Sequence, residues 1–249
     1  MRNIVKHIPN FVTCLNLIAG TLAVIYAFES KLEQSCYLIG IALILDFLDG
    51  FLSRLLNAYS ELGKQLDSLA DLISFGLAPS VFLYQLNKLV FINDGNFSSL
   101  IKPDIITFII LGSSFLVVIF SALRLAKFNI DEEQTTSFKG LPTPANAILI
   151  ASFPLIIFHY ENTIYSDIVL NHYFLLSTAV VSSFLLISNI PMFSLKLKSF
   201  AIKKNLIQYI FLLISLILLI TLQFLAIPLI IITYILLSII GSFINIKYD

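Results

Sequence analysis

Charge is scarce in this sequence. Only 12% of its 249 residues are Asp, Glu, Lys or Arg, while 58% are hydrophobic; soluble domains carry about 25% charged residues. Together with a mean hydropathy of +0.96, this shortage excludes an ordinary soluble domain and indicates an integral membrane protein. Net charge is zero, which by itself selects no partner. Cysteine is limited to Cys14 and Cys36. These fall near opposite ends of the first two apolar runs, roughly a bilayer apart, which excludes a disulfide and leaves them as packing residues. The three histidines, His7, His159 and His172, are isolated near expected membrane interfaces. There is no Cys/His metal pattern, no nucleic-acid motif and no convincing internal repeat.

Long apolar runs dominate what is present. The reading is an all-α membrane protein, a polytopic bundle of about eight transmembrane helices: Phe11–Phe28, Ser35–Leu56, Leu62–Leu86, Ile105–Phe128, Ala145–Tyr160, Tyr173–Ile190, Leu206–Phe224 and Ile227–Phe243. Leu225-Ala226 alone separates the last two. Met1–Asn10 mixes basic and apolar residues ahead of the first span, as in a short helix lying at the membrane surface. No small-residue cleavage site follows that span, so it reads as retained rather than as a signal peptide. With the N-terminus in the cytoplasm, only Lys31, Lys88 and Lys102 fall outside and every other Lys and Arg falls inside, as the positive-inside rule requires. A cytoplasmic (inner) membrane is therefore expected, with Lys196–Lys204 against anionic headgroups.

Against this apolar background, four carboxylates stand out: Asp46, Asp49, Asp67 and Asp71. An ionised carboxylate at bilayer depth costs several kcal/mol unless paired or metal-bound, so such a group calls for a cation. Asp46 and Asp49 are i,i+3 and Asp67 and Asp71 are i,i+4, so each pair lies on one face of its helix. Residues 56–60 are polar enough to turn. In an antiparallel hairpin about that turn, Asp46 comes level with Asp71, Asp49 with Asp67, and Arg54 with Gly63. Oxygen-only sites suit hard divalent ions, Mg²⁺ or Mn²⁺, and two would neutralise four carboxylates. Such two-metal sites typically serve phosphoryl transfer. Arg54 offers a fork to phosphate or braces a carboxylate, and Gly50 and Gly63 allow close approach of a ligand. The plainer alternative is a buried polar network joining two helices, for which one acid and one base would suffice.

Two further stretches suggest function. In Ser74-Phe75-Gly76-Leu77-Ala78-Pro79, Gly76 thins the helix and Pro79 loosens its hydrogen bonding, shaping a cavity or simply a kink. Arg124 and Lys127 are i,i+3 at the cytoplasmic edge of the fourth span, suited to a phosphate or carboxylate or else to topological anchoring. A polar loop and Phe138–Pro144 follow them.

Asp46-x-x-Asp49-Gly50-x-x-Ser53-Arg54, eight residues, Gly63-x-x-x-Asp67-x-x-x-Asp71 resembles the signature of the CDP-alcohol phosphatidyltransferases, a long pattern of fixed spacing. Ser53 departs from it, standing where the family usually has alanine, but a small residue is kept. Residues 74–79, Arg124–Asn129, Phe138–Pro142, and Pro9-Asn10 with Thr13, Asn16, Leu17 and Gly20 resemble the phosphatidylserine synthase branch. The resemblance covers roughly the first 150 residues. It implies transfer of the phosphatidyl group of CDP-diacylglycerol to the hydroxyl of L-serine, giving phosphatidylserine and CMP. By motif position it implies Asp46, Asp49 and Asp67 as metal ligands and Asp71 as base and further ligand. It also implies nucleotide binding near Gly50 and Ser53, with Gly63 close by, and a homodimer. The expected division is a catalytic core over 1–160 and C-terminal helices over 161–249 within one membrane domain.

Rival readings are the same chemistry on glycerol phosphate, inositol phosphate or choline, a membrane prenyltransferase, and a divalent-cation transporter. Prenyltransferase acids come from two separated halves of a bundle, whereas all four here fall between Asp46 and Asp71. The Gly and Arg spacing has no purpose in a transporter.

Overall fold

The structure, a computed structural model, describes residues 7–130, 138–193 and 205–243. Most of the expected surface helix, the Lys196–Lys204 cluster and Lys247 lie outside these residues. Ile8–Asn10 do not form a separate surface helix. They are the first turn of helix α1 (Ile8–Phe28), where Pro9 is tolerated because a first-turn N–H has no intrahelical partner.

A short turn with Ser30 at φ +62° reverses α1 into α2 (Leu32–Leu55). The two pack closely because small residues face one another: Ala19, Ala23 and Ala27 on α1 are buried, as are Cys36 and Ala42 on α2. Ser35 Oγ donates to the Ala23 carbonyl. Both cysteines are free thiols, as expected.

Helix α3 (Glu61–Asp71) starts at Ser60, whose side chain accepts from Gly63 N at 3.0 Å. It runs through a π-helical turn, Leu72–Leu77, into α4 (Ala78–Asn93). Pro79 cannot donate to the Phe75 carbonyl, and the wider turn just before it absorbs that missing bond. Of the two roles that the sequence left open for Gly76, a cavity or a kink, its surroundings show close packing instead. It lets a neighbouring helix approach, since a Cβ there would lie 3.1 Å from Ser121 Cβ. Glu61–Asn93 is the most enclosed long helix, with 61% of its most apolar stretch buried, and Phe75, Phe82, Leu83 and Leu86 fill the core.

The short α5 (Phe97–Ile101) leads to α6 (Ile105–Ser113) and α7 (Leu116–Ile130). Asp104 caps α6, accepting from Thr107 N at 2.8 Å. Two residues of strand, β1 (Phe138–Lys139), precede α8 (Thr143–His159), α9 (Ile164–Val169) and α10 (His172–Ile187). β1 pairs antiparallel with β2 (Pro191–Met192). Gly140, at φ +75°, turns the chain against the end of α10, where a Cβ would meet Leu186 O at 2.6 Å. The Phe138–Pro142 stretch thus has a structural role here, tying the start of α8 to the end of α10.

The last apolar run is two helices, α11 (Leu206–Leu222) and α12 (Ala226–Phe243), reversed at Gln223 with φ +49°. Phe211 and Tyr234, nearly level on either side of that reversal, have ring centroids 5.8 Å apart, as in an antiparallel hairpin. Tyr160 Oη holds the turn by donating to the Leu222 carbonyl at 3.0 Å. Among the described residues, five helical stretches are long and apolar enough to cross a membrane, and two shorter apolar helices, α8 and α10, accompany them. The protein is an all-α membrane protein.

Candidate metal centre

Asp46 and Asp49 project from α2, Asp67 and Asp71 from α3. One carboxylate oxygen from each of Asp46, Asp49 and Asp67 lies within 4.8 Å of the others. Asp71 stands just outside that trio, its carboxyl in hydrogen-bonding contact with Asp46, which agrees with the level-by-level pairing expected of the two helices. The helices themselves are not a packed hairpin, however. α1 packs on both, while α2 and α3 scarcely touch. The carboxylates and their contacts occupy the gap between them.

α1 supplies contacts that the aspartate spacing does not reveal. Thr13 lies beside Asp49 while its hydroxyl donates to the Pro9 carbonyl at 3.0 Å, and Asn16 Nδ2 lies 3.5 Å from Asp71 Oδ1. Both are buried. Their three-residue spacing with Asn10, in an otherwise apolar span, was the available signal, since it sets three polar groups on one helix face.

Asp49 and Asp67 open onto a cavity of about 690 Å³, lined also by Gly50, Ser53, Arg54 and Gly63, by Asn10 and Thr13 of α1, and by Phe128 of α7. Gly50 borders open space: a Cβ at this position would have nothing within 4 Å. Gly63 is different: a Cβ there would lie 2.9 Å from Asn10 Oδ1 and 3.0 Å from Ser60 Oγ, so this glycine also lets α1 and the helix cap come together. Phe128 is held at the cavity by a clasp between α3 and the end of α7. Lys64 Nζ donates to Asn129 O at 2.9 Å, and Asn129 Nδ2 to Ser68 Oγ at 2.9 Å.

Arg124 and Lys127 do not line this cavity. Arg124 is partly buried, interacts electrostatically with Asp71 and Tyr234, and leaves its buried Nε without a partner. Lys127 is exposed.

The donor set fits a divalent cation. All its groups are carboxylate oxygens, Asp49 Oδ2 is buried with no hydrogen-bond partner, and among the described residues no Lys or Arg pairs with any of the four acids. Hard oxygen donors brought this close in an apolar setting are a site for an ion of the Mg²⁺ class.

A helical membrane protein with a partly buried carboxylate cluster that fits a divalent cation is the class defined by fold and geometry. Residues 6–185 match the model of the CDP-alcohol phosphatidyltransferase family, and the chain belongs to that family. It is 39% identical over 144 residues to a CDP-diacylglycerol–serine O-phosphatidyltransferase of Helicobacter pylori, a match covering 57% of this chain and 54% of that protein. It is 33% identical over 150 residues to the Bacillus subtilis protein of the same name, covering 59% and 76%. It is 31% identical over 156 residues to the archaetidylserine synthase of Methanothermobacter thermautotrophicus, covering 62% and 60%. The first of these matches thus spans about half the length of the relative.

Proposed function

We propose that the protein transfers the phosphatidyl group of CDP-diacylglycerol to the hydroxyl of L-serine, releasing CMP and leaving phosphatidylserine in the membrane. The observation that carries this reading is the convergence of Asp46, Asp49 and Asp67 beside the cavity bordered by Gly50, Ser53 and Gly63. The serine acceptor is favoured over glycerol phosphate, inositol phosphate or choline because serine is common to the names of all three relatives, whereas the lipid part of the name differs.

Asp46, Asp49 and Asp67, with Asp71 at the edge, would hold two divalent ions, Mg²⁺ or Mn²⁺, which supply positive charge to the diphosphate. The chain does the rest. Gly50 admits the nucleotide with no side chain in its way, Ser53 with only a small one, and Arg54 on the cavity wall offers a fork to phosphate. Asp71 takes the proton from the serine hydroxyl as its oxygen forms a bond to phosphorus, and the bond from phosphorus to the CMP oxygen breaks with its electron pair leaving on CMP. Arg124, rather than the exposed Lys127, holds the serine carboxylate, since it is partly buried and within electrostatic range of Asp71. Apolar faces of the bundle hold the acyl chains.

Eight spans, counting α8, α10 and both arms of the last hairpin, bring the N-terminus and the carboxylates to the same end. The Lys and Arg distribution assigns that end to the cytoplasm of a cell bounded by the inner membrane. Residues 1–160 form the catalytic core and 161–249 the supporting helices, working as a homodimer.

The test is CMP release in detergent with CDP-diacylglycerol, serine and Mg²⁺ or Mn²⁺, beside Asp71→Asn. The expected result is serine-dependent release that the variant lacks. Equal release with and without serine overturns the acceptor.

A further inference from the structure

Asn16 is fully buried in the first helix, yet it ends on a carboxylate. Ser74 Oγ lies 2.8 Å from Asn16 Oδ1 and 3.1 Å from the Asn16 carbonyl, and Asn16 Nδ2 lies 3.5 Å from Asp71 Oδ1. With the hydroxyl proton on Oδ1, the nearer of its two acceptors, the amide turns its NH₂ toward the Asp71 carboxylate. Ser74 stands in the π-helical turn that begins one residue after Asp71, and irregular turns of this kind frequently occur at functional sites. Ser74 reaches α1 only because residue 20 has no side chain: a Cβ on Gly20 would lie 2.2 Å from Ser74 Oγ and 2.7 Å from Ser74 Cα.

We infer that Asn16 is a positioning residue, locked by Ser74, that fixes the plane of the Asp71 carboxylate toward the acceptor hydroxyl. This rests on Asp71 acting as the base in the transfer proposed above. A purely structural tie between α1 and α3 would need no orientation of the amide. A free carboxylate, by contrast, turns about its Cβ–Cγ bond, and only one arrangement presents an oxygen to an incoming proton. A donor on Oδ1 selects that arrangement without neutralising the group. Asn16 therefore acts on the rate of proton removal and not on substrate capture.

The experiment measures kcat and both KM values in detergent for the wild type, Asn16→Leu, Ser74→Ala and the double variant, with Mn²⁺ affinity read by electron paramagnetic resonance. Asn16→Leu, close in size, is expected to lower kcat about 10- to 100-fold, the usual effect of removing a group that orients a functional side chain. Both KM values and the Mn²⁺ affinity should stay within about threefold, because Asn16 touches neither substrate and the ions would rest chiefly on Asp46, Asp49 and Asp67, with Asp71 at their edge. Ser74→Ala should lower kcat less, and the double variant should be no slower than Asn16→Leu, since the two residues act through one link. An unchanged kcat in either single variant, losses that multiply in the double variant, or a large fall in Mn²⁺ affinity overturns the inference. Should Asn16→Leu fail to fold, Ser74→Ala decides alone. A wild type without serine-dependent CMP release defeats the functional reading instead and is recognised before any variant is measured.

Discussion

Asp46 and Asp71 meet in hydrogen-bonding contact although they project from helices that scarcely touch. Two carboxyl groups at that separation in an apolar bundle repel when both are ionised, so a cation between the helices adds to fold stability as well as to chemistry. Chelation is expected to lower the unfolding midpoint of the detergent-solubilised protein, and Mg²⁺ or Mn²⁺ at 100 times its Kd to restore about 2.7 kcal/mol. Asp49→Asn and Asp67→Asn should abolish that metal-dependent shift. An equal shift in these variants would mean that the ion binds elsewhere.

Gly50 and Gly140 separate function from fold. A Cβ at Gly50 meets nothing within 4 Å, whereas at Gly140 it meets Leu186 O at 2.6 Å in a backbone with φ +75°. Gly50→Ala should unfold at the wild-type temperature while raising KM for CDP-diacylglycerol. Gly140→Ala should lose about 1–3 kcal/mol of stability from the strained backbone alone. Thermal unfolding and a substrate titration on both variants check the pair.

The level at which the acids meet was legible in the sequence because α-helical geometry and one polar turn fix it: Asp46 reaches Asp71 as the residue numbers require. The wedge between their helices was not legible, since nothing in residues 46–71 says that α1 packs on both sides of the gap. Asn10, Thr13 and Asn16 carried a trace of it in their spacing. The clasp of Lys64 on Asn129 depends on how two distant helix ends dock, which no local pattern encodes. Gly76 was ambiguous because thinning a helix serves either a ligand or a neighbour, and only packing showed that Ser121 is the neighbour. The hairpin of α11 and α12, by contrast, was legible to within a few residues: the backbone reverses at Gln223, just ahead of the Leu225-Ala226 break read from the sequence, and Ala226 already begins α12.

The clasp yields a third prediction. Asn129 bonds both Lys64 and Ser68 and so keeps the adjoining Phe128 at the cavity. Asn129→Ala removes the side-chain bond, worth about 1 kcal/mol, and frees the end of α7. KM for CDP-diacylglycerol should rise about fivefold at unchanged KM for serine, as that energy implies. A selective rise in the serine KM would assign the cavity to the acceptor instead.

Arg124 and Lys127 lie three residues apart on one helix but in unlike surroundings: the first is partly buried with Nε unpartnered and Asp71 within electrostatic range, the second exposed. A charge-assisted bond to a substrate carboxylate contributes about 1.5–3 kcal/mol, so Arg124→Ala should raise the apparent KM for serine about tenfold or more. Arg124→Lys should recover part of the loss, since it restores charge without the planar fork. Lys127→Ala should leave both KM values within about twofold, as expected of an exposed charge. A rise confined to CDP-diacylglycerol would move Arg124 to the phosphate, and no rise in either KM would remove it from substrate binding. The acceptor's carboxylate would then have to be held by groups on the cavity side of the carboxylate cluster, and Arg124 would serve only as the cation facing Asp71.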